Sequence, residues 1–158
     1  MPSVRSTAQG VIAAMVLGML MLTACSSGSG STSSVAPTVT PTATAGLGFT
    51  PGTKANPRVV VITATDSLMF MPMQVTAAKG ETVTFQIKNT GTLEHEFMIG
   101  PMADAYADKE GTPEVAEITG GTTKSITFTF DGPGPYAFAC HAAGHFEAGM
   151  KGTITLVG

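Results

Sequence analysis

Three residues near the C-terminus are spaced Cys-x4-His-x4-Met: Cys140, His145 and Met150, within PYAFACHAAGHFEAGMKGTITL. A further histidine, His95, stands forty-five residues upstream of the cysteine. A thiolate and two imidazoles in a plane, with a weak thioether above it, form a ligand field suited to a copper ion cycling between Cu(I) and Cu(II). The chemistry implied is one-electron transfer. Zinc could take the same cysteine and histidines, but it has no use for a thioether, and structural zinc sites carry more thiolates. Each residue alone has a plainer role, Cys140 as a small buried hydrophobe, Met150 as core and His95 as a hydrogen-bonded histidine. Order and spacing together, in a chain with three histidines, favour the metal.

These residues need a rigid frame, and residues 58–158 are long enough for one compact domain with a single core. Their apolar pattern has period two. The runs are Val59–Ile62, Val75–Ala77, Thr82–Ile87, His95–Ile99, Ser125–Phe130, Tyr136–Cys140 and Gly152–Val157. Turn signals separate them at Lys79-Gly80, Asn89-Thr90-Gly91, Gly120-Gly121 and Asp131–Pro135. The expected fold is all-β, a single Greek-key antiparallel β-sandwich of about seven to eight strands. A short helix or irregular excursion is expected within 101–117. Cys140 ends an alternating strand and enters a loop rich in Gly and Ala, which can fold tightly enough to gather three ligands. His95 comes from a distant strand, so the fold as well as the loop defines the site.

The N-terminus has a different character. Arg5, an apolar run from Val11 to Leu22 too short to span a membrane, and the small-residue step before Cys25 read as a secretory signal covering 1–24. LTAC resembles the lipobox of bacterial lipoproteins, which implies cleavage before Cys25 and lipid attachment to it; the alternative is an ordinary signal leaving a free thiol. Residues 25–57 are Ser, Thr, Gly, Pro and Ala with almost no charge, the composition of a tether. Such a chain of roughly thirty residues reaches on the order of 30 Å. Without Arg5, seven basic side chains face eleven acidic ones, a formal charge of −4 against −3 for the whole chain. No basic stripe for nucleic acid exists.

The stretches MFMPMQVTAAKGETVTFQIKNTG, LEHEFMIG and YAFACHAAGHFEAGM resemble the cupredoxins, the small blue-copper proteins. The likeness covers essentially all of 58–158. The four-and-four ligand spacing is similar to that of rusticyanin and the plant phytocyanins, and HEF with CHxxGHFEAGMKG is similar to bacterial cupredoxins associated with copper handling. The resemblance implies one copper per chain, with His95, Cys140 and His145 as in-plane ligands and Met150 as the axial one. It implies an electron path through the edge of His145, where a redox partner would dock on a patch of Ala142, Ala143, Gly144, Phe146, Ala148 and Gly149, rimmed by Glu94, Glu96 and Glu147. Glu96 departs from the pattern, since many members carry Asn there to tie the two ligand segments together. Thr92 or the amides near Ala142 are then the expected substitutes. His141 is expected to point away from the metal.

The function expected is single-electron carriage by a lipid-anchored, extracytoplasmic, monomeric protein of the bacterial envelope. Copper resistance or delivery is the alternative. Met69, Met71 and Met73 alternate, which offers either a weak Cu(I) site or ordinary packing at a sheet entry. Enzymatic copper chemistry is not expected, because it requires a second copper centre and further histidines.

Overall fold

The computed structural model describes residues 47–158. The signal segment, Cys25 and the tether as far as residue 46 lie outside the described residues. Nine strands and one short helix follow in order: β1 (Arg58–Thr65), β2 (Met69–Met71), β3 (Gln74–Ala78), β4 (Thr82–Asn89), β5 (His95–Pro101), α1 (Met102–Tyr106), β6 (Glu114–Ile118), β7 (Thr123–Thr129), β8 (Tyr136–Ala139) and β9 (Lys151–Val157). They form two sheets, β2-β1-β4-β7 and β3-β9-β8-β5-β6. This is the all-β sandwich that the period-two pattern predicts.

The antiparallel expectation fails at two seams. β1 runs parallel to β4, and β3 runs parallel to β9. Between β1 and β4 the chain visits β3 in the other sheet, and between β3 and β9 it visits both sheets, so neither pair is joined by a hairpin and each runs in the same direction. The two strands beyond the seven predicted runs are β2 and β6, both at sheet edges. The excursion over 101–117 holds α1 and the start of β6.

Phenylalanines fill the space between the sheets. Phe70, Phe85, Phe97, Phe130 and Phe138 are all fully buried. Phe97 is the hub: its ring lies 5.4 Å from that of Phe70, 5.7 Å from Phe85 and 5.1 Å from Phe138. Alternation along β5 puts His95 and Phe97 on the same inward face. β8 is buried on both faces, which explains why Tyr136–Ala139 is apolar throughout. Its inner side chains join the phenylalanine core, and its outer side is covered by α1 through Met98, Ala105 and Ala137.

A buried carboxylate closes the opposite turn. Glu81 is 2 % exposed and accepts hydrogen bonds from Arg58 Nε at 2.6 Å, Ala78 N at 2.8 Å and Gly52 N at 3.0 Å. Gly80, at φ +78°, supplies the left-handed step of that turn. The Gly52 contact, with the Arg58 guanidinium lying 4.3 Å over the Phe49 ring, fastens part of the segment expected to be tether onto the domain.

Candidate metal centre

The register of β5 against β8 pairs Met98 with Ala139, and so sets the end of β8 beside the start of β5. Cys140 leaves β8 there and His95 enters β5. The strands alone place two of the predicted ligands together. The third arrives on the loop from Cys140 to Met150, which closes on itself. His145 N donates to Ala142 O at 2.8 Å, Ala148 N to Gly144 O at 3.1 Å, and Met150 N to His145 O at 3.0 Å. Cys140 N donates to Met150 O at 3.0 Å and locks the two ends. Gly144 and Gly149, at φ +81° and +101°, take the conformations that let so short a loop turn back.

His95 Nδ1 lies 3.3 Å from His145 Nδ1, and Cys140 Sγ lies 3.3 Å from the same nitrogen. The donor atoms of all three residues are within 4.8 Å of one another. Nitrogen and sulfur donors each about 2.0–2.3 Å from one transition-metal ion stand roughly 3–4 Å apart at trigonal or tetrahedral angles. The two 3.3 Å separations at His145 meet that requirement. Met150 is fully buried in the same cluster as Cys140, and both its backbone groups are bonded within the site.

Electrostatics favour a cation here. Burial pushes the Cys140 thiol up, the Glu96 carboxylate adds to that, and the amides of Glu96 and Ala142 oppose it. A buried thiolate therefore needs a positive partner, which a metal ion supplies. Burial also pushes His95 down, helped by the neighbouring His145 and opposed by Asp66, so its imidazole is kept neutral with a lone pair to give. Only His145 of the three is partly exposed.

Glu96 proves to be the tie that its departure from the family pattern put in doubt. Its Oε1 accepts from His141 N at 2.5 Å, and its own N–H points at Cys140 Sγ at 3.4 Å. Alternation along β5 sets Glu96 on the face opposite His95 and Phe97, while the bulge at this point lies in β6, where three steps from Ile118 to Val115 oppose two. Thr92, expected as a substitute, is engaged elsewhere: its N–H and hydroxyl both donate to Asp66. His141 is outside the donor cluster, as expected, but it is not idle. Its Nε2 is 2.8 Å from Ala105 O, and its ring stacks on Phe146 with centroids 5.0 Å apart, so it clips the ligand loop to α1.

Two positioning residues escaped the sequence reading. Asp66 accepts from Thr92 N and Leu93 N at 2.8 and 3.0 Å, which pulls its carboxyl below the usual range and fixes the segment leading into His95. Asn89, 1 % exposed, donates to Leu93 O at 2.7 Å and Ile118 O at 2.8 Å. The Asn-Thr-Gly signal marked a turn there, but no local pattern shows an amide reaching across it.

The sequence model of copper binding proteins of the plastocyanin/azurin family matches residues 57–157. Over 117 residues the chain is 33% identical to the copper-resistant cuproprotein CopI of Rubrivivax gelatinosus, covering 67% of this chain and 71% of that one. It is likewise 33% identical over 116 residues to the copper-resistant cuproprotein CopI of Vibrio cholerae, covering 67% and 69%. Among solved structures, reduced auracyanin from the photosynthetic bacterium Roseiflexus castenholzii is similar at 25% identity and a TM-score of 0.56, over 63% of this chain and 97% of that one. Donor set, sandwich and sequence agree, and the chain belongs to the plastocyanin/azurin family of copper-binding cupredoxins.

Proposed function

We propose that this protein is a mononuclear type 1 copper protein that passes single electrons through His145, with His95, Cys140, His145 and Met150 as its ligands. The observation that carries this reading is a buried donor set whose members are held by backbone hydrogen bonds, with His145 alone reaching the surface. Copper, when bound, supplies a one-electron couple. The residues supply rigidity: the Cys140–Met150 backbone bond, the Glu96 tie and the Asp66 clamp leave the ligands little room to move when the charge of the site changes. Small movement means little reorganisation, which suits rapid transfer. The site has no role for a substrate, and the protein is not an enzyme in this reading.

Around His145, Ala143, Gly144 and Ala148 are exposed, small and uncharged. They fit a redox partner that docks briefly over a small area. Glu94 and Glu147 stand exposed to either side in sequence, whereas Glu96 is drawn to His141. The proposed setting is extracytoplasmic, with 1–24 removed, residue 25 lipidated and the domain working as a monomer near the membrane.

A second reading, copper resistance, is favoured by the two CopI relatives and their names. Retention of the metal separates the two. The purified chain is titrated with Cu(II) beside Cys140→Ser, then cycled through reduction and reoxidation with a Cu(I) chelator present. An intense visible band at one copper per chain, absent in the variant and undiminished over the cycles, supports electron carriage. Ready surrender of Cu(I) supports copper handling, and absence of any band refutes the copper ligand set.

A further inference from the structure

We propose that Met69, Met71 and Met73 form a second copper site, a surface trio of thioethers that binds Cu(I). The three are 40%, 56% and 48% exposed. Burying a methionine fully stabilises a fold by about 1.5–3 kcal/mol, and these three, outside both core clusters, forgo about half of that. The remaining methionines of the described residues behave otherwise: Met98 and Met150 are buried, and Met102 packs against Ala105 and its neighbours.

The backbone holds the trio in place while the side chains stay free. β2 is an edge strand, paired with β1 through Thr65↔Met69 and Thr63↔Met71. Phe70 between them is fully buried, so Met69 and Met71 share the outer face. Two residues along a strand their Cα atoms are about 6.6–6.8 Å apart, a gap that unbranched side chains with three rotatable bonds can close on one ion. Met73 follows beyond Pro72 and outside β2, with its carbonyl accepting from Thr153 N of β9 at 2.9 Å, so the third thioether enters from the edge of the other sheet.

The donor chemistry selects the ion. Thioethers are soft ligands and favour Cu(I) over hard divalent cations. The residues interleaved with and flanking the trio, Ser67, Leu68, Phe70, Pro72 and Gln74, carry no charge. The nearest carboxylate in sequence, Asp66, is already bonded to Thr92 and Leu93. Met69 and Met71 sit on the sheet that does not carry His95, Met73 is bonded to the far sheet through β9, and none of the three is a type 1 ligand, so the site can be tested apart from that assignment.

The test is an anaerobic titration of the chain, labelled with 13C at the methionine methyls, with Cu(I) supplied from a competing chelator. The expected result is a second equivalent of Cu(I) beyond that of the Cys140 site, with the methyl signals of Met69, Met71 and Met73 shifting together and that of Met98 unmoved. The triple variant M69L/M71L/M73L should lose that equivalent and keep the Cu(II) absorption band. In Cys140→Ser one equivalent should persist. Uptake of a single equivalent by the wild-type chain, or unshifted signals for the trio, overturns the proposal whatever the visible band does.

Discussion

Glu96→Ala removes the carboxylate that joins the strand carrying His95 to the loop carrying Cys140 and His145. The bond lost is 2.5 Å long and its acceptor is a carboxylate. Hydrogen bonds to charged groups contribute about 1.5–3 kcal/mol. His141 is only partly buried, so water can reach the freed amide and the lower part of that range applies, about 2 kcal/mol. With a urea slope of about 2 kcal/mol/M, the unfolding midpoint should fall by roughly 1 M. Glu96→Gln keeps an acceptor oxygen in the same place and should recover more than half of the loss. Urea unfolding of the copper-free chain followed by circular dichroism gives the stability. The visible band and reduction potential of the copper-loaded chain give a second readout, since a slack loop alters both in Glu96→Ala and less in Glu96→Gln. If Glu96→Ala unfolds at the wild-type midpoint, or if Glu96→Gln is as damaging as Glu96→Ala, the bracing argument is wrong.

Burial alone would push the Glu81 carboxyl up, but Arg58 and the amides of Gly52 and Ala78 outweigh it and hold it below its ordinary value. The stability it contributes is therefore complete above the unfolded carboxylate value of about 4.3 and is lost as pH falls toward the lower folded one. Glu81→Gln should flatten that acid limb in a pH series of unfolding midpoints; an unchanged limb would show that Glu81 is not its source. Gly152→Ala would place a methyl against the Phe138 ring and 2.5 Å from the Met73 carbonyl oxygen, an overpacking that should cost about 1–3 kcal/mol and be visible as a lower melting temperature. Phe97→Ala opens a cavity among the three rings of Phe70, Phe85 and Phe138 and should cost about 3–5 kcal/mol, with a loss below 2 kcal/mol arguing against its central place.

The period-two runs located β1, β3, β4, β5, β7, β8 and β9, because each buries alternate side chains against the phenylalanine core or lies between it and α1. β2 and β6 left no such mark. β2 has three residues, of which only Phe70 points inward, and β6 reads Glu-Val-Ala-Glu-Ile with Ile118 alone buried. The grouping of His95, Cys140 and His145 was legible since ligand chemistry restricts residue type and the tight loop restricts spacing. The supports of the site were not. Asp66 and Asn89 act across turns on backbone groups that any residue would offer, and the partner of Glu96 is the amide of His141, forty-five positions away. The parallel seams were hidden for a related reason: alternation tells which face of a strand is buried, not which strand lies beside it.

The seam between β3 and β9 sets an order of events during folding. β9 follows every other described strand along the chain, and it fills the place between β3 and β8. Until it arrives, β3 has no neighbour in its sheet and Cys140 has no Met150 carbonyl to close the loop. Pairings this distant in sequence are slow to form, so the ligand loop is among the last parts of the domain to close. A closed ligand loop is therefore expected only once β9 has taken its place and the domain is whole.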